Sequence, residues 1–158
     1  MCFLAELVRK LFVVGGWAPF LVFSVHVIAS RGFHLYDVWP QTDVPMHFAG
    51  GLSIAFFFSR CFRALPRDIV RSSRIAVLEA ILIFTLTATA AVLWEFAEFT
   101  LDRIAGSNVQ VSLPNTMQDM ALGILGAVVV MAVRMRRLRA GRRELQEVTA
   151  DWIAGHAA

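Results

Sequence analysis

The sequence predicts an all-α integral membrane protein, a bundle of four transmembrane helices with both termini on the cytoplasmic side. Three observations carry this. Hydrophobic residues make up 58% of the chain and charged residues 17%, with a mean hydropathy of +0.64, whereas a soluble domain carries about 25% charge to clothe its surface. The apolar residues gather into four long runs, each bounded by charge or by Pro and Gly. The basic residues, all Arg except Lys10, collect at alternate ends of those runs. Such a balance excludes a disordered chain, a disulfide scaffold and an ordinary cytosolic enzyme.

The transmembrane domain is expected over residues 1–143, with spans near 11–29, 44–59, 75–101 and 116–133, and a short cytoplasmic tail at 144–158. The first run, Leu11 to Ala29, follows Arg9 and Lys10. Val27 and Ala29 stand as small residues do before a signal-peptidase cut, but the run carries Pro19 and His26 and is longer than an h-region of about 7–15 residues. A retained helix is therefore expected. The second run opens at Pro45 and closes at Arg60; the third ends at Leu101 and the fourth starts at Thr116. In lipid such runs must be helices, because a helix satisfies its own backbone within one segment. The tail spaces Leu138, Leu145, Val148 and Trp152 at helical intervals, as either an interfacial helix or a fraying helix end does.

Arginine sets the orientation. The blocks Arg60 to Arg74 and Arg134 to Arg143, with Arg9 and Lys10, belong on the cytoplasmic side by the positive-inside rule. Beside long apolar runs they read as membrane flanks rather than as a nucleic-acid surface. Loops 30–43 and 102–115 then face outward. Cys2 and Cys61 fall near the cytoplasmic side, so no disulfide is expected.

Ionisable groups within membrane spans are rare and point to function. Here they concentrate at the outer ends of three runs, in Asp43-Val-Pro-Met-His47, Trp94-Glu95-Phe-Ala-Glu98 and Asn115-Thr116-Met-Gln-Asp119. At about 1.5 Å of rise per residue, Asp119 stands about 22 Å from Arg134, His47 about 20 Å from Arg60 and Glu95 about 24 Å from Glu79. Three helices thus bring acids and an imidazole to one depth. Glu95 and Glu98, three residues apart, share a helix face. Carboxylates with one His form a ligand set for zinc or a similar divalent metal; without a metal, crowded carboxylates can carry protons. The expected centre is His47, Glu95, Glu98 and Asp119, with Asp43, Asn115, Asp102 and His26 at its rim. Gly50, Gly51, Gly123 and Gly126 are expected to pack the second and fourth helices closely.

Structural roles compete with this reading. Asp43 ahead of Pro45 suits a helix cap, and Thr116 with Asp119 suits a capping box. Glu98 and Asp102 could face headgroups, and Glu79 is expected to pair with Arg71 or Arg74. Trp17, Trp39 and Trp94 read as interfacial anchors or packing. His34 and Asp37 read as solvated loop residues. Glu95 with His47 resists a structural explanation, because an unpartnered charge in lipid costs a few kcal/mol.

The pattern Asp43-x-x-x-His47-Phe48-x-x-Gly51, Trp94-Glu95-x-x-Glu98 and Asn115-Thr116-x-x-Asp119-Met120, with Gly123 and Gly126, resembles the YjdF-like bacterial inner-membrane proteins. More distantly it is similar to the VanZ-like family. The resemblance covers roughly residues 43–127 and implies a small helical membrane protein with a shared polar cluster. The family pattern tends to an acid where this chain has Asn115. It supplies no reaction. Two functions of different class follow: a metal-dependent enzyme of the outer leaflet acting on a lipid or lipid-linked phosphate, or a non-enzymatic protein binding a lipid, a small amphiphile, a second copy or a partner membrane subunit in the same cleft.

Overall fold

A computed structural model describes residues 3–65, 73–107 and 109–156. Cys2, Arg71 and the side chain of Arg74 lie outside the described residues, as does the side chain of Leu145. All regular structure among the described residues is helical. Helix α1 (Phe3–Leu11) leads through a π-helical turn (Phe12–Gly16) into α2 (Trp17–Val27) and a second such turn (Ile28–Gly32). A short α3 (Leu35–Val38) and a 3-10 turn (Pro40–Thr42) precede α4 (Asp43–Ala64), α5 (Ser73–Ala105) and α6 (Leu113–His156).

Among the described residues three segments are long and apolar enough to cross a membrane: Phe3–Gly32, Ala76–Ala105 and Leu113–Thr149. Helix α4 is long but less apolar. Its inward face is made of small and polar residues, Gly51, Ser53, Ala55 and Ser59, all buried against neighbouring helices. It packs most extensively on α6, then on α5 and α2. The start of α4 meets the start of α6, where Asn115 donates to Asp43, while Ser59 near its end meets Arg134. Helices α4 and α6 therefore run parallel and α5 runs antiparallel to both.

Glycine makes the α4–α6 approach possible. A Cβ at Gly126 would meet Leu52 N, and would lie 2.8 Å from Gly51 C and Phe48 O; one at Gly51 would run into the backbone of Gly123. A Cβ at Gly123 would lie 3.0 Å from the Ala91 methyl of α5. Gly50 plays no part in this contact, since nothing lies within 4 Å of its missing Cβ. It lines a cavity instead.

Two polar ties hold the arginine-rich half of the bundle. The first span breaks at Gly15, which freezes an extended φ of 169° within the helical path. The carbonyl freed there, Val14 O, accepts from Arg60 Nε at 2.9 Å, as a break within a membrane requires. Buried Glu79 pairs with Arg134, whose other nitrogen reaches Ser59. Sequence spacing assigned Glu79 to Arg71 or Arg74, on the flank of its own helix. Helix α6, running antiparallel beside it, supplies a partner at the same depth. The tail continues α6 without a break to His156. Cys61 is a free, half-buried thiol.

Candidate functional site

At the opposite end of the bundle, the first turns of α4 and α6 and the last turns of α5 converge. Asp43 is the first residue of α4, and its carboxylate turns to His47 and Asn115; His47 follows one turn later on the same face. His47 Nε2 lies 3.1 Å from Asp43 Oδ1. Its other ring nitrogen, Nδ1, faces Glu95 Oε1 of α5 at 3.7 Å, too far for a hydrogen bond. Glu98, one turn beyond Glu95, accepts from Trp94 Nε1 at 2.8 Å.

Helix α6 is capped by Ser112, whose hydroxyl accepts the Asn115 N–H at 3.3 Å while its carbonyl accepts from Thr116. The capping box proposed for Thr116 and Asp119 does not form, because the helix starts one turn earlier. Asp119 is thereby free to turn inward, and it is buried to 3% exposure. Asn115 Nδ2 donates to both Asp43 Oδ2, at 3.3 Å, and Asp119 Oδ2. An acid at position 115 would add a further negative charge among acceptors; the amide supplies donors instead.

Burial makes the cluster expensive. Glu95 and Asp119 are each 3% exposed, and Glu98 is also buried. Both carboxylate oxygens of Glu95, and Oδ1 of Asp119, are buried without a hydrogen-bond partner. Four carboxylates face one imidazole, so the site needs protons or a cation to be neutral. Two overlapping sets bring their ligand atoms within 4.8 Å of one another: Asp43, His47 and Asp119; and His47, Glu95 and Glu98. The imidazole stands between the two sets.

The other residues expected at the rim divide. His26 of α2 bonds Tyr36 through Nδ1 at 2.8 Å and packs edge-on against Trp94. Burial, with the charges of Asp43 and Glu98, pushes the Tyr36 phenol up to about 12. His26 also shares with His47, Trp94, Ser53 and Thr87 the wall of a cavity of about 130 Å³ beside the cluster. Asp102 does not join them. Its carboxylate holds the α5–α6 connection, accepting from Ser107 Oγ at 2.6 Å and from the backbone N–H groups of Val109 and Gln110 at 2.8 Å each. His34 and Asp37 form an exposed pair at 3.4 Å.

Trp94 and Tyr36 are the participants that sequence reasoning did not place. The Trp94–Glu98 bond spans one helical turn and was available from spacing alone. Tyr36 carried no such signal: it reaches His26 only because the loop after α2 folds back.

Comparison with known proteins places the chain. A family model described as a predicted membrane protein (DUF2238) matches residues 2–140, and the chain belongs to that family. The chain is 34% identical over 121 residues to an uncharacterised protein of Thermotoga maritima, an alignment that covers 75% of this chain and 59% of the relative. The chain therefore spans somewhat over half the length of that relative. No solved structure matches. Nothing among these matches supports the more distant VanZ-like resemblance.

Proposed function

We propose that this member of the DUF2238 membrane-protein family is a four-span protein of the bacterial inner membrane that binds a divalent metal ion, zinc or similar, in its outward-facing cluster. In this reading the ion serves hydrolysis of a lipid or lipid-linked phosphate. Helix α4 supplies the fourth span: its Asp43–Ala64 length gives about 33 Å, enough for a hydrocarbon core of about 30 Å. The arginine blocks orient both termini inward. The residues that carry the YjdF-like resemblance, His47, Glu95, Glu98, Asn115 and Asp119, are those of the cluster.

One observation carries the metal reading: one ring nitrogen of the imidazole lies 3.1 Å from a carboxylate, and the other faces a second carboxylate at 3.7 Å, too far to bond it directly. Nε2 is within hydrogen-bond reach of Asp43, and Asp43 is itself held by Asn115. That is the arrangement in which an outer carboxylate fixes the tautomer of a ligating histidine. Nδ1 then presents its lone pair towards Glu95, whose two oxygens lack partners, and Glu98. Asp119 belongs to the Asp43 side and acts as a supporting acid. A bound ion would neutralise the carboxylates, polarise a phosphoryl oxygen and lower the pKa of a bound water.

Metal analysis of detergent-purified protein tests this. We expect one ion per chain, lost in His47→Ala and in Glu95→Gln, and kept in Asp102→Asn. The double variant should be no worse than either single one, because groups sharing a site fail together. A stoichiometric ion that survives both single substitutions refutes the assignment. A metal-free protein carrying one co-purified amphiphile would instead favour the binding reading, in which the cavity between His26, His47 and Phe23 holds an apolar tail.

A further inference from the structure

A second concavity lies on the other face of α4, where α2, α4 and α6 leave a groove of about 720 Å³. Its walls are apolar and partly exposed: Trp17 and Leu21 on α2, Phe56 on α4, Val129 and Val133 on α6. Along α4 it runs from Ala49 to Arg63, about 21 Å at 1.5 Å per residue. One leaflet of hydrocarbon is about 15 Å deep, half of the membrane core. The groove can therefore take an acyl chain through a whole leaflet.

Charge marks one end of it. Arg63, Arg134 and Arg137 line the groove at the end away from the carboxylate cluster. Arg134 is committed to Glu79 and Ser59. Arg63 and Arg137 have no acidic partner among the described residues, and Arg63 stands in the field of Arg60, Arg134 and Arg137. Like charges held together at the mouth of an apolar slot call for an anion that also has an apolar body. Guanidinium groups suit a phosphodiester, which they can grip with paired hydrogen bonds. Pocket volumes of about 300–1,000 Å³ are typical of small-ligand sites.

We propose that this groove binds one anionic phospholipid of the inner leaflet, its phosphate on Arg63 and Arg137 and one acyl chain against Trp17, Leu21, Phe56 and Val133. The site is separate from the carboxylate cluster and does not depend on a metal there.

Native mass spectrometry of the full chain in detergent tests it, with phosphatidylglycerol and phosphatidylcholine of identical acyl chains as probes. The unmodified protein should retain phosphatidylglycerol at least tenfold better. In Arg63→Gln/Arg137→Gln that preference should vanish, while Arg63→Lys/Arg137→Lys keeps most of it. Ala49→Phe, which fills the slot, should lose both lipids. Equal retention of the two lipids by the unmodified protein overturns the proposal without any variant. A preference that survives the double glutamine change overturns it too. Undiminished binding in Ala49→Phe would show arginines acting at an open surface, and would likewise overturn it.

Discussion

Replacing Gly126 by alanine should drive α4 and α6 apart and dismantle the carboxylate cluster two turns away. The new methyl would lie 2.8 Å from Gly51 C and from Phe48 O, against 3.4 Å for ordinary contact, a shortfall of about 0.6 Å. The obstructing atoms are backbone on a helix packed from several sides, so no side chain can swing away. Overpacking of this kind costs about 1–3 kcal/mol, and the rigid partner puts it at the upper end. Alanine in a helix returns about 0.5–1 kcal/mol relative to glycine, leaving a net loss of about 2 kcal/mol. Gly141 is the internal control, because nothing lies within 4 Å of its missing Cβ. Gly141→Ala should be neutral or stabilising by up to about 1 kcal/mol. Reversible denaturation of both variants in mixed micelles measures the difference directly. Separation of the helices also pulls Asn115 from Asp43, so Gly126→Ala should weaken metal retention although residue 126 touches none of the acids. If Gly126→Ala unfolds at the same point as Gly141→Ala, the close approach is not a real constraint and the argument fails.

Three other perturbations read different parts of the molecule. Glu79→Gln strands the Arg134 guanidinium in a buried setting and should cost about 3–5 kcal/mol, whereas Glu79→Gln/Arg134→Gln should recover much of the loss; the same unfolding measurement shows whether it does. Tyr36→Phe removes the bond to His26. Because burial raises the phenol from 10.0 to about 12, its contribution is full below pH 10 and fades as pH rises through about 12. The melting difference between wild type and Tyr36→Phe should accordingly narrow across that window, and a constant difference would contradict it. In a chain with Cys2 and Cys61 changed to Ser, Val111→Cys should react with an impermeant thiol reagent from outside intact cells and Gly141→Cys should not; the reverse pattern would invert the proposed topology.

The all-helical fold and the long apolar spans were legible because lipid leaves a chain few options, and because arginine marks where spans end. The grouping of His47, Glu95 and Asp119 was legible as a coincidence of depth. Depth is one coordinate, however, and rotation about each helix is another. The Gly51–Gly126 seam supplied part of that second coordinate, which is why α4 and α6 could be paired from sequence. Asp102 shows the limit. It sits one turn beyond Glu98, on the same stretch of helix, yet it is spent on the backbone of residues 109 and 110. Only the path of the following loop decides that. Glu79 shows the same limit: the basic residues nearest it in sequence, Arg71 and Arg74, lie outside the described side chains, and its partner Arg134 arrives from a helix whose course the sequence does not state.

The two ends of α4 make one physical argument. At its arginine-bearing end an acid and a base, Glu79 and Arg134, cancel within one pair that also reaches Ser59, and so tie three helices. At its opposite end the same three helices gather four carboxylates, three of them buried, around one imidazole, with three oxygens unpartnered. A bundle that needed only cohesion could have used the acid–base solution twice. Placing uncancelled acid in a low-dielectric setting destabilises the empty state, and that cost falls away when a cation enters. Metal binding should therefore stabilise the fold as well as occupy the site, with the rise in unfolding temperature growing as free ion is raised above its dissociation constant. In Glu95→Gln the protein should start closer to its metal-loaded stability and gain little from added ion, whereas His47→Ala strips the acids of their one basic partner, should start below the unmodified protein, and should also gain little. A wild-type unfolding temperature indifferent to zinc, manganese and iron would mean that protons, not a metal, neutralise these acids.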